Sequence, residues 1–563
     1  MDPLEQELTA RLAGQGIFEH GPRAQDLTLR LNRAEDVPAV VAELCAAGLG
    51  LATLVATDES GHSARDLKVR YIFEPTTGSS LPLPDTFVTL VASLDPTRPE
   101  LPSISGQVPA ANWHEREAQD LFGIVFAGHP DPRPLVVHDG WPKGVFPLRK
   151  GFDAQTRPPV EPGEEFPHLL VEGEGVLEVP VGPIHAGIIE PGHFRFSTVG
   201  ESVLNLEARL FYTHRGLEKR MEGLPIADAF YVAERLCGVC SVSHGLGFCE
   251  AAEQVAGISV PPRARALRTL ALELERLYNH VGDIGNIAAG ASYHYGTSAG
   301  ARMKEALQQA CEQLTGSRFL RGLLAPGGVR LDLTPELAKT LSAVICNTGE
   351  ALASLVERIE NNPSVTDRLD TTGVLQMQDA IALGATGVAA RASGIDRDAR
   401  RDHPHAGYAS RVGSRPALPD ADHRGRGWEP SQGSHVGDGP QLAVATESDG
   451  DVHARLNVRA AEARESMRLI RALLEGVPSG PISVDMPETL PAWGIGIAAI
   501  ESPRGAAIHW LRVDGTGRVD RYHLRSPSYA NWPAVALAAQ TSIIPDFPIV
   551  NKSFELCYSC TDR

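Results

Sequence analysis

The sequence has few cysteines, few aromatic residues and a shortage of basic residues. Of its 563 residues, 8 are cysteine and 6% are aromatic, and 52 Lys and Arg stand against 70 Asp and Glu for a net charge of -18. So few cysteines do not form the disulfide scaffold of a small secreted protein. An acidic chain also lacks the basic surface that phosphates require, which excludes nucleic acid as a main partner.

The sequence also lacks the pattern of a signal peptide and of a membrane span. Its first seven residues, MDPLEQE, are acidic where a signal peptide is basic, and no apolar segment follows them. The most apolar stretch, residues 37–57, is interrupted by one proline, one glutamate and two glycines. It therefore predicts a short helix and a strand, and we expect a chain with no direct membrane span.

Length and periodicity predict several modules. The chain is three to four times longer than a typical domain of about 150 residues, and 42% apolar with 22% charged residues is typical of globular proteins. Residues 1–152 alternate short apolar strands with helix-like stretches, which predicts a small α+β domain. Residues 153–180 are rich in proline and glutamate and are interpreted as a connector. Residues 181–563 predict a mainly α-helical domain.

Individual elements follow from the spacing of the apolar residues. In the first module we predict a helix over 38–47 and strands over 51–56, 68–73 and 86–93. In the last module, apolar residues at three- and four-residue spacing predict helices over 201–220, 227–242, 262–289, 297–314, 334–361 and 458–474.

Residues 399–440 interrupt this helical pattern. The segment has few branched aliphatic residues and is rich in Gly, Pro, Arg, Asp and His, so we interpret it as an exposed loop insertion. Its histidines, His403, His405, His423 and His435, are expected to be solvated rather than bound to a metal.

Half of the cysteines form two CxxC pairs, Cys237/Cys240 and Cys557/Cys560. A CxxC pair presents two thiolates on one side of a turn, and such soft ligands select nickel, iron, zinc or copper(I). Zinc ribbons keep their pairs within tens of residues, whereas here the pairs are over 300 residues apart, which disfavours a ribbon. A structural zinc site built over long range remains an alternative. Four thiolates in a protein interior need a bound cation.

The residues around both pairs are similar to the cysteine motifs of nickel-iron hydrogenase large subunits. Residues 235–244, RLCGVCSVSH, resemble the first motif, RxCGxCxxxH. Residues 556–563, LCYSCTDR, resemble the second, although Glu555 and Leu556 replace its usual Asp-Pro.

Further motifs resemble two subunits of respiratory complex I. Those similar to the 49-kDa subunit lie at 182–194, 213–219 and 392–398, and those similar to the 30-kDa subunit lie at 115–124, 128–130 and 147–150. The 30-kDa-like motifs include no evident ligand set, so we expect residues 1–152 to act as a docking domain. A fusion of these modules that retains all four cysteines resembles the large subunit of group 4 hydrogenases, the formate hydrogenlyase and hydrogenase-4 type. The resemblance covers almost the whole chain, with 399–440 as its main departure.

This resemblance implies a nickel-iron centre that carries carbon monoxide and cyanide on the iron. It assigns Cys237 and Cys557 as terminal ligands of nickel and Cys240 and Cys560 as bridges between nickel and iron. It also implies that the iron-sulfur clusters belong to partner subunits and not to this chain.

Four more residues acquire expected roles from the resemblance. It implies proton transfer by Glu190 and a fixed cation over the open metal position from Arg504. His244 is expected to hydrogen-bond a cysteine sulfur, and His185 corresponds to the quinone region of the complex I relatives. The alternatives are a capping or ion-paired Glu190, an ordinary ion-paired Arg504 and a His244 that satisfies a backbone carbonyl.

The function implied is that of the catalytic large subunit of a membrane-associated, energy-converting hydrogenase, peripheral on the cytoplasmic face. The implied partners are an iron-sulfur small subunit, a ferredoxin-like subunit and antiporter-like membrane subunits. The alternative enzyme is a fused subunit of a complex I-type NADH:quinone oxidoreductase that shapes a quinone site without nickel. The alternative without catalysis is a scaffold that holds structural zinc.

Overall fold

A computed structural model describes residues 3–62, 66–76, 85–162, 166–185, 189–408 and 442–563. Its N-terminal region comprises α1 (Pro3–Arg11), β1 (Gly16–His20), β2 (Leu27–Leu31), α2 (Val37–Ala46), β3 (Leu49–Asp58), β4 (Leu67–Pro75), β5 (Val88–Leu94), β6 (Glu100–Pro102), α3 (Ala111–Phe122) and β7 (Val125–Ala127). The helix and the strands predicted here are confirmed.

Five of these strands form one sheet in the order β1-β2-β5-β4-β3. Strands β2 and β5 pair in parallel and the other neighbours are antiparallel. Strands β3 to β5 are buried along almost their whole length. In a strand with one solvated face, by contrast, every second residue faces the solvent. The burial of successive residues along these strands indicates a sheet that is covered on both faces.

The remaining chain begins with β8 (Val176–Val181), β9 (His193–Val199) and β10 (Ser202–Arg209), an antiparallel sheet in the order β10-β9-β8. The helices and short strands that follow are α4 (Leu217–Met221), α5 (Ile226–Ala233), α6 (Ser241–Ala256), α7 (Pro262–Gly290), α8 (His294–Thr315), β11 (Leu324–Ala325), β12 (Gly328–Val329), α9 (Pro335–Glu360), α10 (Pro363–Leu369), α11 (Met377–Ala382), α12 (Gly387–Ala392), α13 (Ala399–Asp402) and α14 (Val452–Gly476). The chain ends with β13 (Ile495–Ser502), β14 (Gly505–Val513), β15 (Val519–Arg525), α15 (Pro527–Ala539), α16 (Phe547–Phe554) and α17 (Tyr558–Asp562).

Capping residues and prolines define the first residues of the long helices. Thr334 accepts a hydrogen bond from Leu337 N at 3.3 Å at the start of α9, and Asp451 accepts one from Ala454 N at 2.8 Å at the start of α14. Helices α7 and α8 pack closely because Gly285 and Gly300 face each other. A Cβ on Gly300 would lie 2.7 Å from Gly285 Cα. Among the described helices, none combines the length and apolar character needed to cross a bilayer.

The N-terminal sheet packs against the sheet of β13 to β15. Ala52, Val55 and Ile72 share a buried cluster with Ile508 and Trp510 from the second sheet. A larger apolar core also contains side chains from both ends of the chain. The two regions are therefore tightly joined, which accounts for the burial of β3 to β5 on both faces.

The prediction of a mainly helical second module is not confirmed, because the chain has a mixed α/β fold. Helices over 262–289, 297–314, 334–361 and 458–474 are confirmed. The helix over 201–220 is wrong, since most of it is the strand β10 followed by the short α4. Residues 227–242 span most of α5, a loop and the start of α6, so the single predicted helix is two helices. The predicted connector, 153–180, ends within β8.

The exposed loop predicted over 399–440 is wrong in its described part. Residues 399–402 form α13, and His403 and His405 are each only 5% exposed. His403 Nε2 lies 2.9 Å from a carboxylate oxygen of Glu74, and its Nδ1 lies 3.2 Å from Asp85. The polar residues that suggested a solvated loop are instead paired with charges from other elements. Residues 409–440, with His423 and His435, lie outside the described residues.

Candidate metal centre

The first cysteine pair occupies the turn that leads into α6. Cys240 is the N-cap of this helix, and its N–H donates to Cys237 Sγ at 3.2 Å. Ser241 Oγ donates to the Cys237 carbonyl at 3.0 Å. Both sulfurs thus lie near the positive end of a helix dipole, which favours thiolates.

The second pair lies on the turn between α16 and α17. Helix α16 ends at Phe554, and the next residue, Glu555, has a φ of 52° that turns the chain where Asp-Pro is usual in related motifs. Cys557 then caps α17 and its N–H donates to Ser528 Oγ at 2.9 Å. Trp532 Nε1 donates to Thr561 Oγ1 at 3.1 Å, so α15 holds the turn from both sides.

The fold brings the two pairs together in one buried cluster. Cys560 Sγ lies 2.9 Å from Cys237 Sγ. The ligand atoms of Cys237, Cys240, His244 and Cys560 all lie within 4.8 Å of one another, and Cys557 packs against the other cysteines beside this set. Metal–sulfur bonds of about 2.3 Å place two sulfurs on one metal at most about 4.6 Å apart. The donor set therefore fits a thiolate-bound metal.

The four thiols ionise unequally in the absence of a cation. Hydrogen bonds from Cys237 and Cys560 lower the pKa of Cys240 to about 6. Burial opposes ionisation of Cys237, but hydrogen bonds from Cys557 and Cys560 hold its pKa at about 7. Hydrogen bonding to the Cys237 sulfur raises the pKa of Cys557, and burial raises that of Cys560. Cys237 and Cys240 therefore form thiolates more readily than Cys557 and Cys560, and the thiolate is the form that binds metals.

His244 lies on α6 one turn beyond Cys240 and is fully buried. Its Nε2 is 3.2 Å from Cys560 Sγ, so the imidazole links the two cysteine pairs. Its Nδ1 has no hydrogen-bond partner among the described residues.

Arg504 lies in the turn between β13 and β14 and is 4% exposed. Its two terminal nitrogens bind Asp283 at 2.5 and 3.0 Å. Burial favours the neutral forms of both groups, but their attraction dominates, lowering the pKa of Asp283 and raising that of Arg504. The Arg504 charge also helps to lower the pKa of Cys240. Arg504 is thus both ion-paired and close enough to act on the cluster.

Sequence reasoning missed Asp283. It lies on α7, one turn after His280 in a helix that is buried along most of its length, and it is 2% exposed. A charged residue on the core-facing side of a long helix is the signal that identifies such a position, since buried charges need partners.

Glu190 contacts the turn that carries the second cysteine pair. One carboxylate oxygen accepts from Ser559 N at 3.0 Å, and the other accepts from Ser559 Oγ. Ser559 lies between Cys557 and Cys560, and sequence reasoning missed it because it occupies one of the variable positions of CxxC. The contact places a titratable group one residue from a metal-ligand candidate.

His185 lies on the loop before β9 and is half-buried. Its Nε2 lies 2.8 Å from the Gly192 carbonyl oxygen, and the described contacts do not include the sulfur cluster. The same loop touches α17, because a Cβ on Gly192 would lie 2.6 Å from the Tyr558 ring. His185 is therefore beside the centre and not part of it.

Family models match most of the chain. Residues 32–158 match the 30 Kd subunit of respiratory-chain NADH dehydrogenase, and residues 215–283 match nickel-dependent hydrogenase. The 49 Kd subunit of NADH dehydrogenase matches over 292–422, 438–493 and 489–563. From sequence, residues 399–440 were expected to be the main part of the chain that does not resemble the family. This range is too wide, because the match to the 49 Kd subunit is interrupted only over 423–437.

Curated relatives agree with these matches. Formate hydrogenlyase subunit 5 of Escherichia coli (strain K12) is 31% identical over 97% of this chain and 91% of its own length. The chain belongs to this hydrogenase family. Hydrogenase-4 component G of the same strain is 31% identical over 85% of this chain and 78% of its own length. This hydrogenase-family chain is an oxidoreductase, and the resemblance inferred from its motifs is confirmed.

A solved structure is also similar to this hydrogenase-family chain. A chain of the membrane-bound sulfane sulfur reductase, an archaeal respiratory membrane complex, aligns with a TM-score of 0.60 and 25% identity. The alignment covers 69% of this chain and 99% of that chain. Related proteins of this family are thus components of membrane complexes.

Proposed function

We propose that this chain is the catalytic large subunit of a membrane-associated nickel-iron hydrogenase that interconverts H2 with protons and electrons. The observation that carries the proposal is the buried meeting of four cysteines from two distant pairs, with His244 between them. Membership of the hydrogenase family supports nickel over other metals that thiolates select.

The residues have separate tasks in this proposal. Cys237, Cys240, Cys557 and Cys560 hold the metals, and His244 orients the Cys560 sulfur. Arg504, fixed by Asp283, places a positive charge beside the cluster. A nickel-iron centre with carbon monoxide and cyanide on iron supplies, when bound, the redox chemistry of hydrogen.

Glu190 provides the proton route. Its carboxylate is held against Ser559, between two ligand cysteines, and it is partly exposed on its other side. A carboxylate in this position accepts a proton at the cluster and releases it toward solvent.

Electrons require partner subunits in this proposal. Among the described residues, this is the one grouping of metal-ligating side chains that contains cysteine. We therefore assign the iron-sulfur clusters to an iron-sulfur small subunit and a ferredoxin-like subunit. Antiporter-like membrane subunits anchor the complex, with this chain peripheral on the cytoplasmic face.

A second candidate is a fused complex I-type subunit that shapes a quinone site without nickel. The extensive match to the 49 Kd subunit and the position of His185 beside α17 favour this candidate. Metal content distinguishes the candidates: nickel with iron supports a hydrogenase, no metal supports the quinone site, and zinc alone supports a structural scaffold.

The test compares Cys560→Ser with Cys346→Ser in the purified complex. Cys560 is a central member of the cluster, whereas Cys346 is exposed on α9. We expect Cys560→Ser to lose nickel, the infrared bands of metal-bound carbon monoxide and cyanide, and hydrogen turnover, because serine is a hard and weak ligand. Cys346→Ser retains all three. Full turnover by Cys560→Ser, or a parent complex without nickel, contradicts the proposal.

A further inference from the structure

A cavity of about 270 Å³ lies between the N-terminal region and the part of the chain that contains α15. Leu51 and His114 line it from the first region, and Leu383, Arg525 and Tyr529 line it from the second. It is distinct from the cysteine cluster, and its chemistry does not depend on the metal.

Arg525 is the unusual member of this lining. It is 5% exposed, its Nε has no hydrogen-bond partner among the described residues, and none of those residues forms an ion pair with it. A buried lysine can become neutral by releasing its proton, but arginine remains charged in proteins. A buried guanidinium therefore needs an anion, because an uncompensated charge in the interior is strongly unfavourable.

The carboxylates whose charges act most strongly on Arg525 already bind other residues. Glu74 binds Arg397 at 2.8 Å and His403 at 2.9 Å. Glu501 binds Arg391 at 2.9 Å and also accepts from Ala399 N at 2.9 Å. Burial lowers the pKa of Arg525 to about 10, and these two carboxylates only partly offset that effect. No residue in the described part of the chain therefore serves as a dedicated counter-ion to Arg525.

His114 is a second buried polar group that lines the same cavity. It is 6% exposed, and its Nδ1 has no partner among the described residues. Burial and the charges of His523, Arg525 and Arg563 lower its pKa, so the ring is neutral and has one N–H to donate. Its ring centre lies 5.0 Å from that of Tyr529, which fixes one face of the imidazole.

We propose that this cavity binds a small planar oxyanion of single charge, the chemistry shared by nitrate, bicarbonate and short carboxylates. The two parallel N–H groups of a guanidinium match two oxygens of such an anion. The single unpaired cation fits one negative charge, and the His114 N–H supplies a further donor. The bound anion joins the N-terminal region to the part of the chain that contains α15.

The experiment follows thermal unfolding of the full-length chain while sodium chloride is replaced by sodium nitrate or sodium acetate at constant total salt. The variants are Arg525→Gln and, as a matched control, Arg518→Gln at an exposed arginine. We expect nitrate and acetate each to raise the unfolding midpoint of the parent and of Arg518→Gln in a saturable manner, by about 2 °C or more. Arg525→Gln does not respond.

General salt effects act equally on both glutamine variants, so they do not imitate this difference. If only acetate acts, the ligand is a carboxylate, and if nitrate acts equally, any planar oxyanion suffices. Absence of a saturable response in the parent, or the same response in Arg525→Gln, overturns the proposal. Should Arg525→Gln fail to fold, Arg525→Lys tests the same point, because an ammonium lacks the planar fork and we expect about tenfold weaker binding.

Discussion

Ser559 and Glu190 form the contact through which a proton reaches the proposed metal centre. Glutamine in place of Glu190 keeps one oxygen to accept from Ser559 N, and the serine hydroxyl reorients to accept from the new amide. The turn that carries Cys557 and Cys560 therefore stays in place, while the group that exchanges a proton is removed.

We expect Glu190→Gln to retain nickel and the infrared bands while hydrogen-deuterium exchange of H2 falls by roughly 10² to 10⁴. The matched control is Glu201→Gln, at an exposed glutamate on the turn between β9 and β10, which leaves the exchange unchanged. Exchange near the parent rate with the metals in place would show that Glu190 is structural. His193, whose pKa is lowered mainly by burial, is the next candidate for the relay.

At the scale of the elements, His453 joins three helices. It lies in the first turn of α14, and its ring nitrogens bind Glu360 at the end of α9 and Asp370 just after α10, at 2.9 and 2.5 Å. The hydrogen bond with Glu360 is the main cause that raises the pKa of His453 to about 9. The folded state thus holds a proton that the unfolded state releases near pH 6.5.

This difference in proton binding predicts how the stability of the folded state changes with pH. The stabilisation by charged His453 is complete below about pH 6.5 and is lost as the pH rises through about 9. We expect His453→Gln to destabilise the chain at pH 6 by about 1 kcal/mol or less, because both carboxylates are considerably exposed. The difference from the parent should vanish above pH 9.5 in urea unfolding. His20→Gln, at an exposed histidine, serves as control, and a difference that persists at high pH would refute this account.

At the scale of the whole molecule, Arg563 ties the N-terminal region to the segment that carries the second cysteine pair. Its guanidinium binds Glu117 of α3 at 2.5 Å, Glu218 of α4 at 3.1 Å and the Leu524 carbonyl at 2.8 Å. It is 2% exposed and also lies over the Tyr529 ring. From sequence we expected the N-terminal module to dock partners, and this contact indicates that it also holds α17.

We expect Glu117→Gln to loosen α17, because removing one partner of a buried ion pair costs about 3 kcal/mol. Amide exchange in a peptide spanning residues 555–563 should accelerate by roughly 100-fold in the metal-free chain, with nickel content reduced in the purified complex. Glu100→Gln, at an exposed glutamate of β6, leaves both unchanged. If α17 stays protected in Glu117→Gln, the N-terminal region does not hold this segment.

The sequence alone determined the features that depend on local pattern. Short stretches rich in β-branched and other apolar residues predicted β3, β4 and β5, and three- and four-residue periodicity predicted the long helices α7, α8, α9 and α14, because side-chain burial repeats with the geometry of each element. The two CxxC pairs identified the candidate metal ligands, because thiolate chemistry resides in the residues themselves.

Only the tertiary structure decided which distant groups meet. Residues 202–209 became the strand β10 because β9 pairs with them, although their apolar spacing also suits a helix. His403 became buried because Glu74, over 300 residues earlier, accepts from it. The pairing of Arg504 with Asp283, and the lack of a partner for Arg525 within the described ranges, follow the same principle. A buried charge is stable only beside its counter-charge, and chain folding, not proximity in sequence, supplies or withholds that partner.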